Sequence, residues 1–338
     1  MHKLFPIVAF SLVFFAGCAA PEPEPVPVDH GAGTVLRADP AVDAIVPEEY
    51  KIEKVHGGFQ FTEGPVWIDK DGGYLLFSDI PANAIYKWIP DGQVTDFLKP
   101  VFEGEHEEGG LVGSNGLLLD PNGHLLLCEH GGRRVSRMGE DGGRTTVVDK
   151  YEGKRLNSPN DAVLHSDGSL YFTDPPYGLA QQDDDPAKEL DFNGIYRYSA
   201  DDKLTLLNRV QSCPNGIGLS PDEKTLYVAN SDQSSKLWMA YPVRDDGTLG
   251  EGTVFFDASS EQADGSPDGL ALDTRGNIFA TGPGGVWIFN LEGKHLGTIQ
   301  PDEVPANVTF GDADGKTLYM TARTGLYRIR LNAQGLVR

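Results

Sequence analysis

The stretch FTEGPVWIDKDGGYLLFSD, residues 61–79, contains two short apolar segments joined by the turn-forming sequence DKDGG. Two apolar segments on either side of a glycine-containing turn are typical of a β-hairpin. The first segment begins beside an acid and a glycine, Glu63 and Gly64, rather than at an apolar residue. The number of times this arrangement recurs decides the fold.

The hairpin occurs six times. Its first strands read EGPVWID, NGLLLDP, NDAVLHS, NGIGLSP, DGLALDT and NVTFGDA, and its second strands read YLLFSD, HLLLCE, SLYFTD, TLYVAN, NIFATG and TLYMTA. A third strand follows most copies, and no amphipathic helix interrupts the series. Repeats of about 40–55 residues with this content predict an all-β, six-bladed β-propeller with four-stranded blades. The competing architecture, a β-sandwich, does not predict a six-fold period.

The chain before the first repeat divides into three parts. Residues 50–58, YKIEKVHGG, have no hairpin of their own, and we expect them to close the ring against the last blade, so that the domain spans 50–338. Residues 1–17 have the short apolar core of a signal peptide. The sequence FAGC resembles the lipobox of bacterial lipoproteins, which predicts lipidation of Cys18, a proline-rich tether over 18–49 and an exported protein that is anchored to a membrane and faces the periplasm. An ordinary cleaved signal peptide is the alternative.

Composition limits the partners. The net charge of −22 argues against nucleic acid and against an anionic membrane surface, because both require a basic face. We therefore expect a small-molecule substrate, no nucleic acid and membrane contact only through the anchor. The spacing of Cys128 and Cys213 is not that of a disulfide framework, so both are predicted to be unpaired.

Each blade contributes one polar residue at the head of its first strand, and the first strands of a propeller line its central tunnel. These residues are Glu63, Asn115, Asn160, Asn215, Asp268 and Asn307. A turn-forming role explains any one Asn-Gly pair, but not six aligned acids and amides. Two carboxylates at one centre repel each other unless a cation lies between them. Carboxylate and amide oxygens suit Ca²⁺ or Mg²⁺, which predicts a divalent-cation site in the tunnel. Folding about the turns also places Glu63 opposite Asp79, and Asn160 opposite Thr173 and beside Asp174, as a second polar tier.

The motifs FTEGPVW, SPNDAV, TDPPYGL, CPNGIGLSPDEKTLYVAN and SPDGLALD together resemble the gluconolactonase and regucalcin-like (senescence marker protein) family of six-bladed propeller lactonases. The resemblance extends from about residue 50 to 331. It implies that Glu63, Asn160, Asn215 and Asp268 hold the metal. Ca²⁺ is the expected ion, with Mg²⁺, Mn²⁺ and Zn²⁺ as alternatives. It also implies that Asp268 is the catalytic base.

One position departs from the family pattern. Some animal members have an arginine two residues before the equivalent of Asn160, where this chain has Ser158. We therefore expect other side chains to bind the substrate, namely Asn115, His130 and Arg133, with Arg134 as a further candidate. A solvated loop is the alternative explanation for the two arginines.

The resemblance implies a hydrolase that opens sugar lactones to aldonic acids with a metal-activated water. Two alternatives remain: a phosphotriesterase or fluorophosphatase on the same scaffold, and a non-catalytic sugar-binding propeller. A Ser–His–Asp esterase is disfavoured, because the nearest stretch to a G-x-S-x-G elbow, GLVGSNG, has Val112 in place of the first glycine.

Overall fold

The structure is a computed structural model that describes Met1 and residues 29–106 and 108–336. The predicted signal peptide and Cys18 fall in residues 2–28, outside the described residues, and stay predictions. Within the described ranges, no helix has the length and apolar character needed to cross a bilayer.

Six antiparallel sheets form the blades, and their first strands contact one another in a closed ring. The predicted all-β six-bladed propeller is confirmed. In chain order, blade 1 contains Thr62–Ile68, Tyr74–Asp79, Ala84–Trp88 and Val94–Leu98; blade 2 contains Ser114–Leu119, Leu125–Glu129, Arg134–Met138 and Arg144–Val148; and blade 3 contains Ala162–Leu164, Leu170–Asp174, Gly194–Tyr198 and Leu204–Asn208. Blade 4 contains Pro214–Leu219, Thr225–Asn230, Leu237–Pro242 and Thr253–Asp257; blade 5 contains Leu270–Leu272, Ile278–Gly282, Gly285–Phe289 and His295–Pro301; and blade 6 contains Asn307–Gly311, Thr317–Ala322 and Gly325–Arg330.

Smaller elements connect the strands of the propeller. A two-stranded ribbon, Lys150–Tyr151 and Lys154–Arg155, precedes blade 3, and the described residues contain two short 3₁₀ helices, Pro40–Ala44 and Gln182–Asp184.

The strand Ile52–Gly57 completes blade 6 by pairing antiparallel with Gly325–Arg330. The predicted closure of the ring by residues 50–58 is therefore confirmed. Strands from both ends of the domain thus lie in one sheet, which holds the ring closed between the last blade and the first.

The predicted tether over 18–49 extends too far, and the folded domain begins before residue 50. The strand Gly33–Arg37 adds a fifth strand to the outer edge of blade 5, where it pairs with His295–Pro301. Val42 and Val46 in the following turn are fully buried in the apolar cluster between blades 5 and 6. The proline-rich, acidic composition of the segment gives no sign of these few apolar side chains, which dock only once the blades exist.

The core is divided among the blade interfaces rather than gathered at one centre. The described residues form six apolar clusters, one between each pair of neighbouring blades. Between blades 1 and 6, for example, Trp88 packs with Tyr319, their ring centroids 5.5 Å apart. A single blade could not bury both faces of its sheet, so apolar burial requires the complete ring.

Buried hydroxyl groups join neighbouring blades near the axis. Ser78 donates to the carbonyl oxygen of Asn115 at 2.8 Å, Thr173 to that of Asn215 at 2.8 Å, and Thr281 to that of Ala306 at 2.7 Å. Each bond runs from the second strand of one blade to the first strand of the next, or to the residue just before it. These bonds link buried carbonyl groups of one blade to hydroxyl groups of its neighbour, and they fix the first strands relative to each other.

Four of the six polar residues at the strand heads are followed by glycine: Gly64, Gly116, Gly216 and Gly269. Adjacent first strands approach most closely at these positions. A Cβ atom at Gly216 would lie 2.2 Å from the carbonyl oxygen of Asp268, and one at Gly64 would lie 1.9 Å from that of Asn115. Glycine therefore follows the acid or amide because a side chain would force the ring of first strands open.

We expect Gly216→Ala to destabilise the protein by about 3 kcal/mol, because the obstructing atom belongs to the backbone and cannot rotate away. The free energy of unfolding, measured by denaturant titration, provides the test. Gly250→Ala is the matched control, since its nearest neighbours are side-chain atoms of Pro242 at 3.3–3.5 Å. Equal stability of the two variants would contradict the close approach of the first strands.

Candidate functional site

Five of the six polar residues that head the first strands are buried, and Asp268 is partly exposed. Hydrogen bonds join the amides of Asn115, Asn160 and Asn215 at one level of the tunnel. Asn115 donates through Nδ2 to Oδ1 of Asn160 at 2.6 Å, and Asn160 donates through Nδ2 to Oδ1 of Asn215. Asn215 in turn donates to the Ser231 hydroxyl at 2.8 Å. The chain orients three amide groups from three consecutive blades, and each acceptor oxygen keeps a second lone pair for another partner.

Hydrogen bonds also orient the carboxylate of Glu63, which heads the first strand of blade 1. Its Oε2 atom accepts from Nδ2 of Asn307 at 3.0 Å and from the backbone N–H of Gly64 at 2.8 Å. Asn307 therefore supports the carboxylate of the neighbouring blade.

Carboxyl groups meet at the centre of this ring. Burial, with a smaller contribution from the charge of Asp161, raises the pKa of Glu63 from 4.5 to about 7, although hydrogen bonds from Gly64 and Asn307 oppose the shift. The pKa of Asp268 is raised well above its ordinary value by burial and then by the charges of Glu63 and Asp161. The three carboxyl groups are therefore close enough to oppose one another's ionisation, as expected for like charges in a poorly solvated site.

Asp161 is a functional candidate that the sequence reasoning missed. Burial raises its pKa from 3.8 to about 7, and its Oδ1 atom lies 2.7 Å from the place where a Cβ of Gly116 would be. The available signal was its position: Asp161 follows Asn160 where four other repeats have glycine. An acid at a position that otherwise demands no side chain indicates a carboxylate directed at the tunnel.

The donor set fits a divalent cation. Oδ1 of Asp268 and Oδ1 of Asn115 are buried and lack any hydrogen-bond partner among the described residues. Buried polar atoms are normally paired, so two orphaned oxygens in a ring of acids and amides indicate that a positive group belongs there. The described residues contain no metal-binding cluster built from three or more His, Cys, Asp or Glu side chains. The fit therefore depends on acids and amides together, which is a donor set for a hard cation.

The predicted second polar tier is wrong in part. Glu63 pairs with Ser78, and Asp79 pairs with Thr62, because a bulge between Glu63 and Val66 shifts the register by one residue. The Asp79 carboxylate accepts from the backbone N–H groups of Gln60 and Phe61 at 2.9 and 3.1 Å. It therefore fixes the approach to the first strand instead of facing the site.

Blade 3 uses its acid in the same manner. Asp174 accepts from the backbone N–H groups of Asn157 and Ser158, both at 2.8 Å. Thr173 does lie opposite the head of the first strand, since Asn160 donates its backbone N–H to the Thr173 carbonyl at 2.9 Å.

His130 lies beside Asn160 of the amide chain, and its role in substrate binding stays a prediction. It is 1% exposed, and neither ring nitrogen has a hydrogen-bond partner of ordinary geometry among the described residues. Burial lowers its pKa from 6.5 to about 4, against a smaller opposing influence from Asn160. His130 is therefore neutral near pH 7 and can offer one donor and one acceptor to a ligand.

Arg133 has structural partners. Its Nε atom donates to the Leu156 carbonyl at 2.7 Å and Nη1 to the Ala187 carbonyl at 2.8 Å. These bonds hold the segment before the first strand of blade 3 and the loop after its second strand. Arg134 pairs instead with the buried Glu129, at 2.9 Å. A role for Arg133 in substrate binding stays a prediction that would rest on Nη2, which is buried without a partner.

The two cysteines that the structure describes, Cys128 and Cys213, are free, as predicted.

The tunnel contains a cavity of about 360 Å³. It is lined mostly by apolar residues of the first strands, and Asp161 and Asn307 are among the residues that contribute polar atoms.

Several known proteins are similar to this chain over most of its length. Residues 61–324 match the family described as SMP-30/Gluconolactonase/LRE-like region. The chain is 40% identical over 313 residues to a gluconolactonase of Zymomonas mobilis, covering 90% of this chain and 87% of that protein. It is 26% identical over 270 residues to the pentonolactonase of Haloferax volcanii, covering 78% and 81%. The solved structure of a gluconolactonase from Xanthomonas campestris superposes with a TM-score of 0.76 at 30% identity, covering 88% of this chain and 94% of that one. The six repeats, the ring of acids and amides and these similarities agree: the chain belongs to the SMP-30/gluconolactonase/LRE-like family.

Proposed function

We propose that this protein is a carboxylic ester hydrolase that opens sugar lactones to aldonic acids with the help of a divalent cation. The observation that carries the proposal is the buried ring of acids and amides with an orphaned carboxylate oxygen at Asp268. The similarity to a gluconolactonase over nine-tenths of the chain supports the substrate class.

Glu63, Asn160, Asn215 and Asp268 would hold the cation, with Ca²⁺ the expected ion and Mg²⁺, Mn²⁺ and Zn²⁺ as alternatives. A bound cation would polarise the lactone carbonyl and favour ionisation of a water molecule. The hydrogen bonds described above keep the amide oxygens of Asn160 and Asn215 in place, so little reorganisation is needed on binding.

Asp268 is the candidate base. Burial and the charges of Glu63 and Asp161 raise its pKa, which makes the carboxylate a stronger base than an exposed aspartate. Oδ1 has no hydrogen bond from the described residues, so one oxygen of the carboxylate can face the cation while the other accepts the proton of the attacking water. The water oxygen bonds to the lactone carbonyl carbon, the ring C–O bond breaks, and Asp268 passes the proton to the ring oxygen, which leaves as a hydroxyl group. The product is the open-chain hydroxy acid.

The test is hydrolysis of glucono-δ-lactone and of paraoxon by the purified protein, with and without EDTA, with spontaneous hydrolysis subtracted. We expect acid release from the lactone, a loss of at least tenfold on chelation and recovery with added Ca²⁺. Faster turnover of paraoxon would favour the phosphotriesterase alternative, and binding of the lactone without turnover would favour the non-catalytic one. A lactonase rate that is insensitive to EDTA would contradict the metal requirement.

A further inference from the structure

The segment 175–179, PPYGL, crosses the site next to His130 and carries a tyrosine to which the sequence assigns no role. It begins with two consecutive prolines, Pro175 and Pro176, both buried. Proline fixes its own φ angle and restricts the residue before it. The path of the chain into Tyr177 is therefore largely set before any ligand binds.

Ser158 holds the segment 175–179 in place through two hydrogen bonds. Its hydroxyl donates to the carbonyl oxygen of Pro175 at 2.6 Å and accepts the backbone N–H of Gly178 at 2.9 Å. A Cβ atom at Gly178 would lie 2.8 Å from the Cβ atoms of both His130 and Ser158. The segment therefore packs between His130 and Ser158. The backbone N–H of Ser158 in turn donates a hydrogen bond to the Asp174 carboxylate.

The hydrogen bonds of Ser158 place the Tyr177 hydroxyl at the ring of acids and amides. The Tyr177 phenol interacts with the Ser231 hydroxyl, the Cys213 thiol and the Asp268 carboxylate, and it is therefore close to these groups. Ser231 already donates to the Pro267 carbonyl at 2.6 Å and accepts from Asn215 at 2.8 Å. One acceptor lone pair of Ser231 therefore remains for Tyr177, and the phenol can exchange that weak neutral partner for a ligand.

The charge state of the phenol suits it for this purpose. Burial raises the pKa of Tyr177 well above its ordinary value, so the group remains an O–H donor across the neutral range. An aromatic side chain with few rotatable bonds also loses little conformational freedom when a ligand binds.

We propose that Tyr177 is a substrate-binding residue whose hydroxyl donates a hydrogen bond to a ring hydroxyl of the lactone, and that Ser158 positions it. This inference rests on the proposed lactonase function and deepens it by naming a residue that selects hydroxylated lactones. Ser158 occupies the position from which some relatives extend an arginine; here it serves the site indirectly, by holding the segment that carries Tyr177.

The test compares Tyr177→Phe with the unaltered protein on glucono-δ-lactone and on δ-valerolactone, which has the same ring size and no ring hydroxyls. We expect KM for glucono-δ-lactone to rise about tenfold with kcat within twofold, which corresponds to about 1.4 kcal/mol, and kcat/KM for δ-valerolactone to stay unchanged. Tyr198→Phe is the matched control, because the Tyr198 hydroxyl bonds the exposed Asp202 far from the ring. Its KM should not change.

A double-mutant cycle tests the part played by Ser158. Ser158→Ala should raise KM in the same direction, and Ser158→Ala combined with Tyr177→Phe should be no worse than Tyr177→Phe alone, because the two changes remove the same contact. Fully additive effects would contradict the positioning role. An unchanged KM in Tyr177→Phe, or an equal loss on both lactones, would overturn the proposal while leaving the lactonase function intact. If the unaltered protein hydrolysed no lactone, the proposed function would fail, and this inference with it.

Discussion

Replacing Asp268 with asparagine should lower kcat for glucono-δ-lactone about 10³-fold, within the range expected for loss of a general base. Asparagine has nearly the same size and keeps an oxygen as a donor to a cation. It cannot accept a proton at Oδ1, the orphaned atom that the proposed reaction uses. The loss should therefore appear in kcat rather than in KM.

The same substitution should make the cation-free protein more stable. The pKa of Asp268 is raised by burial and by the charges of Glu63 and Asp161, so its ionised form is unfavourable in the folded state. A neutral amide removes that repulsion. Thermal unfolding in EDTA at pH 8 should show a Tm higher for Asp268→Asn than for the unaltered protein, with a smaller gain on adding Ca²⁺.

Asp264→Asn is the control for both measurements, because Asp264 lies nearby in the chain but is exposed, in a surface ion pair with Arg323. It should alter neither kcat nor Tm appreciably. An Asp268→Asn variant that is both active and less stable in EDTA would show that the carboxylate neither acts as the base nor opposes its neighbours.

The second large effect is a dependence of stability on both pH and cation. We expect the Tm of the cation-free protein to fall between pH 6.5 and 8.5, and Ca²⁺ to reverse most of the fall. At a Ca²⁺ concentration of about 100 times its Kd, the gain is about 2.7 kcal/mol. That gain corresponds to a Tm increase of about 5 °C for a domain of this size.

The sign follows from proton binding. Glu63 and Asp161 have pKa values of about 7 in the folded protein, above their ordinary values of 4.5 and 3.8. The folded state therefore holds these protons more tightly than the unfolded state, and the resulting stability is present at low pH and lost as pH rises through 7. A cation replaces the lost protons, so its effect should grow over the same interval.

The interval from pH 6.5 to 8.5 lies above the titration of several groups whose pKa is lowered in the folded protein. Such groups change the stability with pH in the opposite direction to Glu63 and Asp161. The pKa of His130 is lowered by burial from 6.5 to about 4, which removes stability as pH falls below 6.5. The pKa values of Glu303 and Asp167, each lowered to about 2 by hydrogen bonds that outweigh burial, act only in stronger acid.

Differential scanning fluorimetry in EDTA and in Ca²⁺ at several pH values above 6.5 follows the ring of acids. Asp174, whose pKa is raised by burial from 3.8 to about 7, adds to the fall in Tm. The part of the fall that Ca²⁺ reverses is the part that belongs to the ring.

Glu63→Gln serves as the matched variant. It removes one carboxylate and should reduce the dependence of Tm on pH in EDTA as well as the gain from Ca²⁺. A cation-free Tm that rises from pH 6.5 to 8.5 in the unaltered protein would mean that the three carboxyl groups do not oppose one another.

The amino-acid sequence determined the number of blades and the residues that head their first strands. Both follow from local, periodic features: apolar strands of fixed length, glycine-containing turns and one acid or amide per repeat. The closing strand at Ile52–Gly57 was predictable for the same reason, since a strand without a hairpin of its own needs a partner elsewhere. The ring of six acids and amides was predictable because equivalent positions of a cyclic repeat converge. The family resemblance, and not the repeat, singled out Glu63, Asn160, Asn215 and Asp268 among them.

Only the tertiary structure decided which groups meet across blades. The bulge after Glu63 moved Asp79 from the site to the backbone of Gln60 and Phe61, a one-residue shift that no periodic pattern records. The structure also places Asp161 with Glu63 and Asp268 as the third carboxyl group of the site. It shows that Ser158 holds, by two hydrogen bonds, the segment that carries Tyr177. The segment 33–46 joined blade 5 only because the finished ring offers a sheet edge and an apolar groove. These roles depend on non-repeating contacts between distant parts of the chain, and such contacts exist only after the ring has closed.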